Sequence, residues 1–271
     1  MKLAFDFGIT NTDIVSYKNG EMSFFTSPSE EISEEFIEKL LLSIKIKISD
    51  VEVIAVTGGK SSDLKDVFKG IPIVKVNEIE AIGYGAKHLY NISDSKFVVV
   101  SCGTGTACVS FINDKFSHMG GISVGGGTLQ GLSNLIIGKK NAEEINNLAL
   151  EGNKDNLDSL IGEVVNEIGS LYPEITASNF AKARYGDDFS DHDISSSLSN
   201  MVGEVIGTIS YLNALIMGVS KIYFIGRTSL LDIVKNGIDK RLELVNISGE
   251  YKKNREFGNA IGAIAYLNTS L

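Results

Sequence analysis

Cysteine, histidine, proline and net positive charge are all scarce in this chain, and most of these shortages close off a class of function. Only two cysteines occur in 271 residues, Cys102 and Cys108. Their spacing matches neither a CxxC redox pair nor a zinc set, and small core residues are expected there rather than reactive thiols. His88, His118 and His192 are too scattered for a metal constellation. Acidic residues outnumber basic ones 34 to 25, a net charge of −9. Without a basic stripe to neutralise phosphates, nucleic acid is not an expected partner. The longest apolar run, Tyr211 to Val219, is interrupted by Asn213 and Gly218 and falls short of the roughly 18 residues a membrane helix needs. Asp6 stands too early for a signal peptide, so the expected setting is cytoplasmic, with no membrane partner.

Glycine runs the other way, with 28 residues against 3 prolines. The excess sits in discrete turns rather than linkers, which favours tight loops that hold a ligand. A hydrophobic share of 43% and this length allow one large domain or two lobes with buried cores.

One phosphate-loop pattern appears twice. Leu3-Ala4-Phe5 enters Asp6-Phe7-Gly8-Ile9-Thr10, and Phe97-Val98-Val99-Val100 enters Ser101-Cys102-Gly103-Thr104-Gly105-Thr106. Each reads as a buried strand breaking into a small, hydroxyl-rich turn followed by a second β-rich run. Glycine admits a phosphate close to the backbone, while threonine and free N–H groups supply donors. Two such hairpins imply two related lobes gripping one polyphosphate.

The surrounding pattern alternates strands and helices, an α/β arrangement. Strands are expected at about 2–7, 13–17, 21–26, 51–56, 73–76, 97–101, 107–112 and 221–225. Helices are expected at about 31–47, 61–69, 78–90, 129–137, 198–218 and 258–267, with short helical pieces through the polar stretch 141–197. The expected division is a first lobe of residues 1–76 completed by the closing helix at about 257–271, and a second lobe of residues 77–256. No linker separates them, so they should share a hinge.

Asp6, at a strand end beside both turns, is placed to hold Mg²⁺ or simply to cap its turn. Gly125-Gly126-Gly127-Thr128 enters a helix, where amides reached across glycines suit an anion; the plainer role is a flexible connector. Glu78, just after the N-cap Asn77, is the candidate base for phosphoryl transfer to an alcohol, with Glu80 its rival about 200° round the helix. The competing role for Glu78 is to complement the helix dipole. Gly226-Arg227-Thr228-Ser229 ends a strand on the nucleoside side, and Arg227 could stack on a base or be solvated.

These segments together resemble the actin/Hsp70/sugar-kinase superfamily and, within it, the type II pantothenate kinases. The resemblance rests on Asp6 to Thr10, Thr57-Gly58-Gly59, Asn77-Glu78, Gly103 to Thr106, Gly120-Gly121, Gly125 to Thr128 and Gln130-Gly131. It continues through Thr176 to Phe180, Val202 to Ile206 and Ala260 to Ala263. It implies a two-lobed actin-like, ribonuclease H-like ATPase fold with a central interlobe cleft and a homodimer joined through the second lobe. It implies ATP, with Mg²⁺ at Asp6, bound by Gly8, Thr10, Gly103, Thr104, Gly105, Gly125, Gly126, Gly127, Thr128 and Gly226. It further implies Glu78 as the base that activates the pantothenate hydroxyl, with Thr106 and His118 on the acceptor side.

Three positions depart from that family's pattern. Asp13 stands where a lysine usually approaches the phosphates, and a carboxylate there should repel the nucleotide unless Mg²⁺ or a rotated side chain intervenes. His118 replaces the arginine that pairs with the pantothenate carboxylate, and a neutral imidazole cannot reproduce that bidentate contact. Ala107 replaces a serine. A non-carboxylate alcohol such as pantetheine, or a nucleotide-binding module without transfer activity, is therefore the alternative expectation.

Overall fold

The computed structural model describes residues 1–59, 61–166, 172–186 and 188–269. Residues 167–171 and 187, inside the stretch expected to be helical in short pieces, and 270–271 lie outside the described residues. The chain forms two sheets whose strand orders repeat. The first contains β1 (Lys2–Phe7), β2 (Asn11–Lys18), β3 (Glu21–Pro28), β4 (Val53–Thr57), β5 (Val67–Phe68) and β6 (Ile71–Lys75), in the order β3-β2-β1-β4-β6-β5. The second contains β7 (Lys96–Cys102), β8 (Thr106–Ile112), β9 (Lys115–Ile122), β12 (Lys221–Ile225) and β13 (Ser248–Glu250), in the order β9-β8-β7-β12-β13. A short ribbon pairs β10 (Ser159–Leu160) with β11 (Thr176–Ser178). In each large sheet an antiparallel three-strand meander is followed by two strands parallel to its first member, β4 then β6 beyond β1 as β12 then β13 beyond β7, and in the first sheet β5 adds an antiparallel edge. The doubled sequence pattern is thus a doubled topology.

Side-chain alternation gives each sheet two buried faces. On the first sheet, Leu3, Phe5, Phe7, Ile54 and Val56 pack against Phe36, Ile37, Leu40 and Leu41 of α1 (Glu34–Ser43). Its other face, Ala4, Val15, Val53 and Ala55, receives α8 (Gly258–Thr269) through Ala260, Ile261, Ala263, Ile264 and Leu267. The second sheet holds α2 (Glu78–Tyr90) on one face, with Ile82 and Ala86 over Phe97, Val99, Val109 and Phe111. Its opposite face, including Val98, Val100, Cys102, Cys108 and Phe224, packs beneath α3 (Gly126–Ile137), α4 (Ala142–Glu151), α6 (Asp191–Met217) and α7 (Asp232–Glu243). One short helix, α5 (Ile161–Val164), completes the set.

The middle layer is the pair α2 and α8, and glycine sets its spacing. A Cβ on Gly85 would lie 2.0 Å from the Gly258 carbonyl oxygen, and one on Gly262 would lie 1.8 Å from that of Ala81. The two backbones therefore touch without intervening side chains, locking the first sheet's helix to the second sheet's helix.

Most expected elements are present, with three informative differences. Helix α1 is shorter than the expected 31–47: Ser33 caps its start, accepting from the Phe36 amide at 3.1 Å, and Lys45 turns left-handed at φ 59° to end it. The helix expected at 61–69 is instead a 3₁₀ turn (61–63) and the strand β5, because Lys69 and Gly70, both with positive φ, close a tight hairpin onto β6. Strand β9 is the third antiparallel member of the second sheet, started by Asn113 and Asp114 in left-handed conformations. Among the described residues no helix is long and apolar enough to cross a membrane.

Replacing Gly262 by valine should force α2 and α8 apart. We expect a loss of roughly 3 kcal/mol or more, read as a thermal midpoint lowered by many degrees or as insoluble protein. The same substitution at Gly131, whose Cβ would meet nothing within 4 Å, should change far less. Equal midpoints for Gly262→Val and the wild type would refute the close crossing.

Candidate active site

Both hairpins lie at the carboxyl ends of their first strands, where an α/β fold leaves a crevice. In the first, Phe7 pairs with Thr12 and the Gly8 amide donates to the Asn11 carbonyl at 3.1 Å, with Ile9 and Thr10 exposed at the tip. A Cβ on Gly8 would stand 2.6 Å from that carbonyl oxygen, so the turn needs glycine. The Ser29 hydroxyl donates to the Gly8 carbonyl at 2.6 Å and fixes the turn from β3's side. In the second, Cys102 pairs with Thr106 and the Gly103 amide donates to the Gly105 carbonyl at 2.9 Å.

The glycine triplet docks on this second hairpin backbone to backbone. Gly126 and Gly127 donate to the carbonyls of Gly103 and Thr104 at 2.9 and 3.0 Å. Added Cβ atoms would sit 2.7 Å from the Thr104 carbonyl oxygen at Gly125, 2.5 Å from Thr228 Oγ1 at Gly126 and 2.4 Å from Thr104 Cγ2 at Gly127. The close approach that the three glycines permit is therefore first an approach to the hairpin itself. These two amides are occupied within the protein, and the triplet braces the loop from behind. The Thr106 hydroxyl joins the same brace, donating to the Val124 carbonyl at 2.8 Å, and Thr128 donates to the Ser123 carbonyl at 2.9 Å. Gly226, at φ 90°, presses against the Cys102 backbone, and Thr228 donates to the Gly103 carbonyl at 2.8 Å.

Asp6 ends β1 opposite Asp13 on β2 and Thr57 on β4. A Cβ on Gly58 would lie 2.5 Å from its Oδ1, so the left-handed Gly58 makes room for this carboxylate. Burial, reinforced by the negative charges of Asp13 and Glu78, pushes the Asp6 carboxyl up to about 8, while an Asn259 hydrogen bond and Arg227 pull the other way. Beside it the buried Thr57 hydroxyl has no hydrogen-bond partner among the described residues.

Glu78 is exposed at the first position of α2, behind Asn77, whose Oδ1 accepts from the Ile79 amide at 2.9 Å. Because α2 leads directly into β7 along the same sheet, its start lies at the hairpin end of that sheet. The influence of Glu78 on Asp6 puts the two acids in one cleft. Glu80 is half-buried. His118 is exposed on β9, immediately before a bulge, and two residues beyond Phe116, which packs on Gly83 of α2. Ala107 packs on the same α2 face, in apolar surroundings.

Asp13 is nearly fully buried and pairs with Arg227 across the two sheets. The Arg227 guanidinium also donates to Thr26 Oγ1 at 2.7 Å. The expected repulsion is thus met by a cation delivered from the second sheet. Burial still raises the Asp13 carboxyl above the ordinary carboxylate range, with Arg227 pulling it down. Sequence reasoning had neither this partner nor Asn259; a lone polar residue opening the small-residue helix α8 was the signal for the latter.

Two further segments of the sequence pattern serve each other rather than the cleft. Fully buried Asp158 accepts from the Phe180 amide at 2.9 Å and from the Ser197 hydroxyl, and Glu204 pairs with Arg241 and Asn179, each at 3.2 Å. Cys102 and Cys108 are fully buried free thiols; burial pushes Cys108 up to about 12 and Cys102 higher still. Among the described residues no three His, Cys, Asp or Glu side chains converge to hold a metal on their own.

Two equivalent sheets, each presenting a glycine-threonine hairpin to a shared cleft, define a two-lobed ATPase fold of the sugar-kinase type. Over 99% of its length the chain is similar to the activator of the 2-hydroxyisocaproyl-CoA dehydratase from Clostridium difficile with bound ADPNP (TM-score 0.70, 15% identity, 94% of that chain covered). It is also similar to a putative N-acetylmannosamine kinase from Listeria monocytogenes (TM-score 0.58, 14% identity, 100% and 99% covered). Residues 9–230 match the family Fumble. A type II pantothenate kinase of Bacillus anthracis is 32% identical over 225 residues, 80% of this chain and 81% of that protein. The chain belongs to this family, the Fumble or type II pantothenate kinase family.

Folded Asp6 keeps its proton to about pH 8, whereas an unfolded chain releases it near 3.8. The folded state therefore binds the extra proton between these values, and stability falls as pH rises through them. We expect the thermal midpoint of metal- and nucleotide-free protein to decline from pH 5 to 8, and Asp6→Asn to flatten that decline. Parallel profiles for the two proteins would remove Asp6 as its cause.

Proposed function

We propose that this protein is an ATP-dependent kinase that phosphorylates the hydroxyl of pantothenate, the opening step of coenzyme A synthesis. The observation that carries the proposal is membership of the type II pantothenate kinase family over most of the chain, combined with two phosphate hairpins facing one cleft that contains Glu78. ATP lies with its phosphates between Gly8–Thr10 and Gly103–Gly105, with the Gly125–Thr128 brace and Gly226 supporting the second loop.

Glu78 orients the acceptor hydroxyl and takes its proton as the oxygen attacks the terminal phosphorus. The new O–P bond forms as the bond to the ADP oxygen breaks, and the proton stays on Glu78 until solvent removes it. Being exposed, Glu78 can exchange that proton freely. Closure of the lobes excludes water from the transferred group.

The residues around Asp6 fit a divalent cation. A carboxyl held uncharged by burial and two acids, beside an orphaned Thr57 hydroxyl, is relieved by positive charge. Bound there with the phosphates, Mg²⁺ would supply charge neutralisation. Asp6 would be its carboxylate ligand.

The exposed His118 favours a second acceptor for the same chemistry, an alcohol such as pantetheine that lacks the carboxylate. The same proposal takes the protein as a cytoplasmic homodimer. Leu135 and Ile136 of α3 and Leu212, Leu215 and Ile216 of α6 expose apolar surface on the second lobe that would suit such a contact.

The test is a product assay by mass spectrometry on a mixture of pantothenate, pantetheine and related alcohols, beside titration calorimetry with ATP. Phosphopantothenate is expected from the wild type. Glu78→Gln should lower turnover by roughly two orders of magnitude or more with ATP affinity nearly unchanged. ATP binding without any phosphorylated product would favour a nucleotide-binding module, and unimpaired turnover of Glu78→Gln would move the base to Glu80 or elsewhere.

A further inference from the structure

The pairing of Asp13 with Arg227 has a use beyond neutralising a buried carboxylate. Arg227 sits between Gly226, pressed on the Cys102 backbone, and Thr228, bonded to the Gly103 carbonyl at 2.8 Å, so its backbone belongs to the second hairpin's support. Its guanidinium reaches Asp13 on β2 and Thr26 on β3, so its charge lies at the first hairpin. One side chain thus stands at both phosphate loops.

The cleft around it is acidic. Asp13 and Glu78 both act on Asp6, and Glu256 acts on Asp13; Arg227 is the cation that acts on both Asp6 and Asp13. A polyphosphate entering this cleft meets several carboxylates and needs a fixed positive charge. The guanidinium has donors to spare. Among the described residues both of its side-chain hydrogen bonds leave from Nη2, Nε is buried without a partner, and Nη1 makes no hydrogen bond. The Phe257 ring, its centroid 5.5 Å from the guanidinium carbon, braces the group and itself packs, tilted, on Phe24 at a centroid distance of 5.1 Å. A planar guanidinium anchored through Nη2 by Asp13 and Thr26, with Nη1 uncommitted, is placed to donate to phosphate oxygens.

Resting on the ATP reading above, we propose that Arg227 is the cation that binds the β- and γ-phosphates. In this proposal Asp13 and Thr26 are positioning residues that aim it. The positive charge that the family's pattern places on the first hairpin, where this chain has Asp13, is supplied here from the opposite lobe.

The test is titration calorimetry on the full chain with Mg²⁺ present, comparing ATP with AMP, which lacks the two outer phosphates. Arg227→Ala should weaken ATP by about tenfold or more, the scale of one lost charge-assisted contact, and leave AMP unchanged. Arg227→Lys should recover part of the loss. The exchange Asp13→Lys combined with Arg227→Ala should return ATP affinity to within about threefold of wild type, because it puts a cation back at the same place. Thermal melts check that each variant folds. Equal weakening of ATP and AMP would make the ion pair only a latch between the lobes, and an Arg227→Ala affinity equal to wild type would remove the role altogether; both overturn the proposal. Wild-type protein that binds no ATP would overturn the ATP reading and this inference together, an outcome distinct from the other two.

Discussion

The contact between α2 and α8 is the constraint on which the rest of the structure depends. Gly85 and Gly262 let the two helix backbones meet, and every layer follows from that spacing. The outer face of α8 supports the first sheet through small and branched residues, while the outer face of α2 supports the second through Ile82 and Ala86. Each helix also begins at the cleft, so the same contact places Glu78 at the start of α2 and Asn259 at the start of α8, beside Asp6. The geometry between Glu78 and Asp6 is therefore inherited from a backbone-to-backbone packing contact between two helices.

The cleft combines rigid loops with unbalanced charge. Rigidity comes from backbone bonds between Gly126, Gly127 and the second hairpin, and from Ser29 bonded to the first. Charge imbalance comes from a buried carboxylate with acids beside it: burial first, then Asp13 and Glu78, raises the Asp6 carboxyl well above its ordinary range. Clustered acids of this kind cost stability, and a ligand that binds only the folded chain would restore it.

Much of this was legible in the sequence. The doubled strand-turn pattern gave both hairpins, and Asn77 marked the first turn of α2 because its side chain could cap only that helix. What was hidden depended on contacts between distant residues. The triplet Gly125-Gly126-Gly127 was legible as a helix start, but not its packing on Thr104 and Thr228, which explains the need for glycine at all three positions. Asp13 looked like a repulsive intruder because Arg227, its partner, is more than two hundred residues away. Thr176 to Phe180 and Val202 to Ile206 carried the family resemblance without a stated role, and the structure shows members of both in a buried network around Asp158 and Glu204. Strand β5 was missed because residues 61–69 fit a short helix until the Lys69-Gly70 turn is given weight, whereas its partner β6 coincides with the strand expected at 73–76.

The order in which the chain is made gives the α2–α8 contact a further consequence. The first sheet is translated early, yet one of its two faces stays bare until α8 follows the whole of the second sheet out of the ribosome. The second sheet's helices are nearer to it in sequence, so it can condense first and present α2 as a template. The amino-terminal half is thus expected to acquire its final packing last, by docking against a preformed carboxyl-terminal half. Nascent chains that stall before α8 would carry Ala4, Val15, Val53 and Ala55 exposed, which makes that face the natural landing place for a chaperone.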